Sequence, residues 1–219
     1  MVRPSYPLLF WDLDGTLTDP KEGITKSVQH ALRRLGLPAP DQEALTPFIG
    51  PPLLASFQEL CHLDPATARQ AIGYYRERFE VQGLFENKVY PEIPPLLDEL
   101  GRTGVRMAVA TSKPLPSALR ILDHFDLRRH FYAVYAADQG GRVASKRDVL
   151  GEAVQPLGDA ERATAAMIGD HPVDVQAARD LGLDAIAVLY GYGDPGLLHA
   201  AGPRHAAASV AELRGLLLR

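Results

Sequence analysis

From residue 92 to the C-terminus the chain alternates short apolar runs with amphipathic stretches, and that rhythm leaves few folds open. The runs at 105–110, 131–136, 165–168 and 185–189, with a shorter one near 205–208, read as strands. Helical periods lie around them, at 92–103, 115–125, 146–154, 173–181 and 210–217. Strands separated by single helices pair in parallel, and a parallel sheet needs cover on both faces. An apolar, aromatic run at 6–11 supplies one more buried strand before the rhythm begins. The expected fold class is α/β, a doubly wound, Rossmann-like parallel sheet.

One stretch interrupts the alternation. Between 18 and 87 no convincing strand occurs. Ile24, Val28, Ala31, Leu32 and Leu35 recur at a helical period, Gly36 ends the helix, and Pro38 and Pro40 follow. A short helix at 41–46 is expected to close before Pro47, and the prolines of Phe48-Ile49-Gly50-Pro51-Pro52 to start a helix reaching 63. Asp64 then caps a long helix with Pro65 in its first turn, ending near 81. This is too much helix for a βα loop. The expectation is an inserted small α-helical cap domain at 18–87, an α/β core at 1–17 and 88–219, and linkers at 17–21 and 85–91.

Bulk properties remove several classes of function. With 23 Lys and Arg against 27 Asp and Glu, the net charge is −4, and no basic block or aromatic–basic stripe occurs, so no nucleic acid polymer is expected as a partner. A small anionic substrate stays open, because local cations decide that. Cys61 is the single cysteine, which excludes an internal disulfide and fits a reducing compartment. The N-terminal apolar run is too short for a signal peptide, and no segment approaches a membrane span. A soluble, cytoplasmic protein with no membrane and no obligate protein partner is expected.

The residues that could carry chemistry sit at strand ends. Asp12 and Asp14 follow the first strand, and Gly15-Thr16 follows them. Two adjacent acids repel unless a cation lies between them, which suits a hard metal and a pair split into nucleophile and acid. A plain Asx turn would use the same residues. Thr111 and Ser112 end the strand at 105–110 and could give a hydroxyl and an amide to an anion, or simply cap a helix. Lys146 opens a helix after Gly140-Gly141-Arg142-Val143-Ala144-Ser145, where a cation opposes the helix dipole unless an anion faces it. Standing alone it reads as a solvated lysine. Asp170 ends the strand at 165–168 and Asp174 lies one helical turn on, either as a pair aimed at a site or as acids complementing the dipole. In a doubly wound sheet these strand ends share an edge, and ligands collect where strand order reverses.

Asp-Leu-Asp-Gly-Thr at 12–16, Thr111, Lys146 and Gly169-Asp170-His171-Pro172-Val173-Asp174 stand in the order of the four motifs of the haloacid dehalogenase-like hydrolases, which this chain resembles over nearly its whole length. The resemblance implies that Asp12 is the nucleophile forming an aspartyl phosphate, and that Asp14 is the acid, then the base. It implies Mg²⁺ as cofactor, bound by Asp12, the Asp14 carbonyl and Asp170, with Asp174 orienting a metal water or Lys146. Thr111, Ser112 and Lys146 would hold the phosphoryl oxygens. Asp14 also favours phosphatase over dehalogenase chemistry. His171 stands where Arg, Thr or Ser is frequent, and Trp11 where Phe is usual. The stretches 17–20, 48–53, 110–114 and Tyr190-Gly191-Tyr192-Gly193 resemble the phosphoglycolate phosphatase and 5′-nucleotidase branch, which implies a small phosphorylated metabolite as substrate. Gly50, Pro51 and Lys113 are the candidates for substrate specificity. A β-phosphoglucomutase-like transfer and a non-catalytic phosphate-sensing module on the same fold remain as alternatives.

Overall fold

The computed structural model describes residues 3–137 and 145–219. In chain order the elements are β1 (Leu8–Trp11), β2 (Thr18–Asp19), α1 (Lys21–Arg34), α2 (Leu53–Cys61), α3 (Pro65–Arg78), β3 (Lys88–Val89), α4 (Ile93–Arg102), β4 (Arg106–Pro114) and α5 (Leu115–His124). There follow β5 (Ala133–Ala137), α6 (Lys146–Val154), α7 (Asp159–Arg162), β6 (Ala165–Gly169), α8 (Pro172–Asp180), β7 (Asp184–Val188), α9 (Pro195–Ala200), β8 (His205–Ala207) and α10 (Val210–Leu217). The Gly140-Gly141 pair read ahead of Lys146 lies outside the described residues. The chain divides into two compact units, Met1–Thr18 with Val89–Arg219, and Asp19–Lys88. β2 and β3 form a two-stranded pair of their own.

The first unit is an α/β layer structure. Its six strands form one parallel sheet in the order β5-β4-β1-β6-β7-β8. β4 and β5 step outward on one side of β1, and the chain then returns to lay β6 on the other side. Such a reversal opens a crevice at the carboxyl ends of the strands it separates. Trp11 stands opposite Val109 of β4 and Ile168 of β6, so Ala110 and Gly169 lie level with Asp12, where β1 ends. All four residues of β1 are buried, as a central strand covered on both faces requires. Leu8 and Phe10 pack in one layer with Val149, Leu150 and Ala153 of α6 and Val175 of α8.

β4 departs from expectation. It runs on through Thr111 to Pro114, with a register shift against β5 between those two residues. α9 was not expected. Its start signals were present, since Asp194 Oδ1 accepts from Leu197 N at 2.8 Å and Pro195 begins the helix, but six residues are too few to show a helical period.

The second unit is helical. Ile24, Val28, Ala31 and Leu32 of α1 are buried, as are Ala68, Ala71 and Tyr75 of α3, which packs against α1. Asp64 caps α3 by accepting from the backbone of Ala66 and Thr67 at 2.8 and 3.2 Å. The expected helix at 41–46 is instead turn, followed by a 3-10 helix at Thr46–Phe48 with Pro47 inside it, since proline suits a first helical turn better than it closes one. Pro51 and Pro52 both precede α2, with Pro52 at its N-cap. α3 passes into a π-helical turn at Phe79–Gly83. There Gly83 lies so close to α1 that a Cβ on Gly23 would stand 2.0 Å from its carbonyl oxygen.

Candidate active site

β1 delivers Asp12 to the crevice at the moment the strand ends, with the Asp12 amide still bound to the Ile168 carbonyl at 2.9 Å. The chain then turns sharply. Leu13 O accepts from Thr16, Leu17 and Thr18, and Gly15 takes φ +81°, a left-handed conformation that glycine adopts freely. A side chain on Gly15 would collide with Asp170, whose Oδ2 lies 2.1 Å from where its Cβ would be. Glycine is needed there twice over, for the turn and for the approach.

Lys146 arrives from α6. Ser145 and Asp148 start that helix as a capping box, the Ser145 hydroxyl accepting from Asp148 N at 3.2 Å and Asp148 Oδ2 from Ser145 N at 2.9 Å. The Lys146 side chain is 4 % exposed, so it is no solvated lysine. Its Nζ lies 2.6 Å from Asp12 Oδ1, 2.8 Å from Asp174 Oδ1 and 3.0 Å from the Ala110 carbonyl. Burial alone would drive off its proton, but Asp12 and Asp174 more than offset that and hold the ammonium above its ordinary pKa.

α8 carries Asp174 in its first turn, and this residue does two things at once. Oδ2 accepts from His171 N at 3.1 Å, capping the helix, while Oδ1 faces Lys146. Asp170 sits between two loops. Its Oδ2 accepts from Tyr192 N at 2.8 Å and its Oδ1 from Thr16 Oγ1 at 3.3 Å. Gly191 is required beside it, because a Cβ there would stand 2.3 Å from Asp170 Cβ. Thr16 and Tyr192 were not singled out from sequence. Alternation of glycine and tyrosine at 190–193, after a strand, was the available sign. Burial, then Asp12 and Asp174, push the Asp170 carboxyl up to about 8. Burial likewise lifts Asp174 to about 6, against the pull of Lys146.

Asp12, Asp170 and Asp174 offer carboxylate oxygens that lie within 4.8 Å of one another, and all three are buried. These hard oxygen donors suit Mg²⁺ in kind. Their charge suits it too: Lys146 pairs with Asp12 and Asp174, and the negative charge of those two carboxylates, after burial, works against ionised Asp170, which a divalent cation would offset. The Asp14 carboxylate turns elsewhere. Its Oδ2 lies 2.7 Å from Lys113 Nζ, and its Oδ1 is buried without a hydrogen-bond partner among the described residues. Burial raises the Asp14 pKa, and Lys113 counters only part of that.

Thr111 is 2 % exposed and its Oγ1 accepts from Lys113 N at 3.2 Å. Neither it nor Ser112 caps α5, whose N-cap is Pro114 with no side-chain bond. Ser112 is half-buried at the end of β4. The His171 ring accepts from Val173 N at 3.5 Å through Nδ1, and burial lowers its pKa. Gly50 and Pro51 belong to the helical unit, where Gly50 takes φ +104°.

A family model described as haloacid dehalogenase-like hydrolase matches residues 9–188. A protein of Pseudomonas aeruginosa named 5′-nucleotidase is 46 % identical over 97 % of this chain and 96 % of its own length. One of Mycobacterium tuberculosis named tyrosine-protein kinase PtkA is 39 % identical over 85 % of this chain and 63 % of its own. A phosphoglycolate phosphatase of Agrobacterium fabrum is 32 % identical over 88 % of this chain and 84 % of its own. Among solved structures, a predicted phosphatase from Clostridium acetobutylicum superposes with a TM-score of 0.90 at 42 % identity, covering 96 % of this chain and 97 % of that one.

Proposed function

The chain belongs to the haloacid dehalogenase-like hydrolases, and from that premise we propose that it is a Mg²⁺-dependent phosphomonoester hydrolase of small metabolites, working through an aspartyl phosphate on Asp12. The observation that carries the reading is the pairing of Asp12 Oδ1 with the buried Lys146 Nζ at 2.6 Å. A carboxylate can attack a dianionic phosphoryl group only where nearby cations screen the repulsion. Lys146 supplies one such charge from a fully buried position.

In the first step an Asp12 oxygen bonds to phosphorus as the bond from phosphorus to the leaving oxygen breaks, and Asp14 gives that oxygen its proton. In the second, the Asp14 carboxylate takes a proton from water. The water oxygen bonds to phosphorus, the Asp12 carboxylate departs, and inorganic phosphate is released with Asp14 protonated again. The raised pKa of Asp14 suits a group that must start as an acid. Lys146, the Thr111 hydroxyl and the Ser112 amide hold the phosphoryl oxygens. Asp12, Asp170 and the Asp14 carbonyl would hold Mg²⁺, with Asp174 orienting a metal water or Lys146, and the bound ion would add positive charge at the phosphoryl oxygens. Gly50 and Pro51 of the helical unit are the candidates for leaving-group selection.

The more similar relative supports a 5′-nucleotide as substrate ahead of phosphoglycolate. The test is phosphate release from a panel of 5′-nucleotides, phosphoglycolate and sugar phosphates, with Mg²⁺ and with chelator. Mg²⁺-dependent release of inorganic phosphate, largest with a nucleotide, is expected. Phosphate passed to a second hydroxyl instead of water, or no release from any ester, would overturn the reading.

A further inference from the structure

Each aspartate of the Asp12/Asp14 pair has a buried lysine of its own. Lys146 serves Asp12 at 2.6 Å, and Lys113 serves Asp14 at 2.7 Å, with side chains 4 % and 6 % exposed. The second pairing depends on a local irregularity. Between Thr111 and Pro114 the pairing of β4 with β5 slips, and Thr111 Oγ1 accepts from the Lys113 amide at 3.2 Å. Irregularities of this kind re-aim side chains beside active sites. Here the outcome is a lysine whose ammonium meets Asp14 rather than water.

We propose that Lys113 is a positioning residue: it holds the Asp14 carboxyl by Oδ2, so that Oδ1 is the oxygen through which the proton passes to the leaving group. Asp14 Oδ1 is buried and has no hydrogen-bond partner among the described residues. A buried oxygen of that kind is costly unless it is used. With Oδ2 engaged by an ammonium, Oδ1 is the atom free to bear the proton that the leaving oxygen takes as its bond to phosphorus breaks. The inference rests on the phosphatase reading. It assigns Lys113 to leaving-group protonation and not to binding of the substrate's non-phosphoryl part.

General acid catalysis contributes about 10²–10⁴-fold, and misplacing the acid should forfeit part of that. The measurement compares kcat/KM for a 5′-nucleotide, whose alkoxide leaving group needs a proton, and for 4-nitrophenyl phosphate, whose leaving group does not. Lys113→Met should lower the first by about 10–100-fold and the second by less than about threefold. In an Asp14→Asn background, adding Lys113→Met should change nucleotide turnover by less than about threefold, because the two residues act as one unit. Lys113→Arg should recover part of the loss, and the melting temperature of each variant identifies any that fail to fold. Equal losses on both esters, no loss on either, or a full further loss in the Asp14→Asn background would overturn the assignment. Asp12→Asn is run alongside: if it turns over normally, the aspartyl-phosphate reading on which this rests has failed, whereas an inactive Asp12→Asn with uniform Lys113→Met losses sinks the Lys113 role alone.

Discussion

At the scale of single residues, the site is built from charges that the fold would expel if they stood alone. Asp170 is 4 % exposed and faces Asp12 and Asp174, so its carboxyl rises from 3.8 to about 8 without a cation. A carboxyl whose folded pKa lies above its unfolded one favours folding at low pH. That contribution is lost as pH rises from about 4 through about 8, so the ionised group costs stability at neutral pH. Asp170→Asn keeps the shape, can accept from Tyr192 N and can donate to Thr16 Oγ1. In chelator at pH 8 it should therefore be more stable than the wild type by about 1 kcal/mol or more, raising Tm by roughly 2–4 °C. It should also lose the stabilisation that Mg²⁺ gives the wild type. A lower Tm than wild type in chelator would contradict the account. His130 makes a second case, far from the chemistry. Its side chain is 6 % exposed, Nδ1 is 3.9 Å from Asp98 Oδ1, and burial followed by Arg129 holds its pKa below the usual value. Below about pH 6.5 the unfolded chain binds a proton that the folded one resists, so stability should fall as pH falls through that range. Melting scans of His130→Gln should show a flatter dependence between pH 7 and pH 5. An unchanged slope would remove His130 as the cause.

At the scale of elements, close approach outweighs propensity. Gly23 lies inside α1, where alanine would ordinarily stabilise a helix by about 1 kcal/mol. Yet a Cβ there would meet the Gly83 carbonyl oxygen at 2.0 Å, an atom of backbone that cannot swing away. Forcing extra carbon into a filled space costs about 1–3 kcal/mol, so Gly23→Ala should lower stability, against the helix scale. Denaturant midpoints decide it, and a raised midpoint would show that the π-helical turn at Phe79–Gly83 yields easily. The strand–helix rhythm of the α/β unit was legible because each element there shows its period. Asp174 was legible from its place in the first turn of a helix that opens just after Asp170 ends its strand. The Lys113–Asp14 pair was not, because it follows from a slip in strand pairing that leaves no mark in composition. Nor were the amide of Tyr192 and the hydroxyl of Thr16, which reach Asp170 from loops whose path is set by Gly15 and Gly191.

For the whole molecule, the arrangement rests on one topological fact: strand order reverses beside β1, so β1, β4 and β6 place Asp12, the Thr111–Lys113 segment and Asp170 at one edge. Among the described residues no helix is long and apolar enough to cross a membrane. The central claim is that Asp12, in this setting, takes the phosphoryl group itself. Its direct test is phosphate release by Asp12→Asn, which keeps size and shape but replaces the nucleophilic carboxylate by a neutral amide, measured with Mg²⁺ and the best ester of the panel on protein whose melting curve is cooperative. The expected result is a fall of at least about 10³-fold, the scale on which losing a nucleophile is felt. Release within about tenfold of wild type, from folded protein, would contradict covalent catalysis by Asp12.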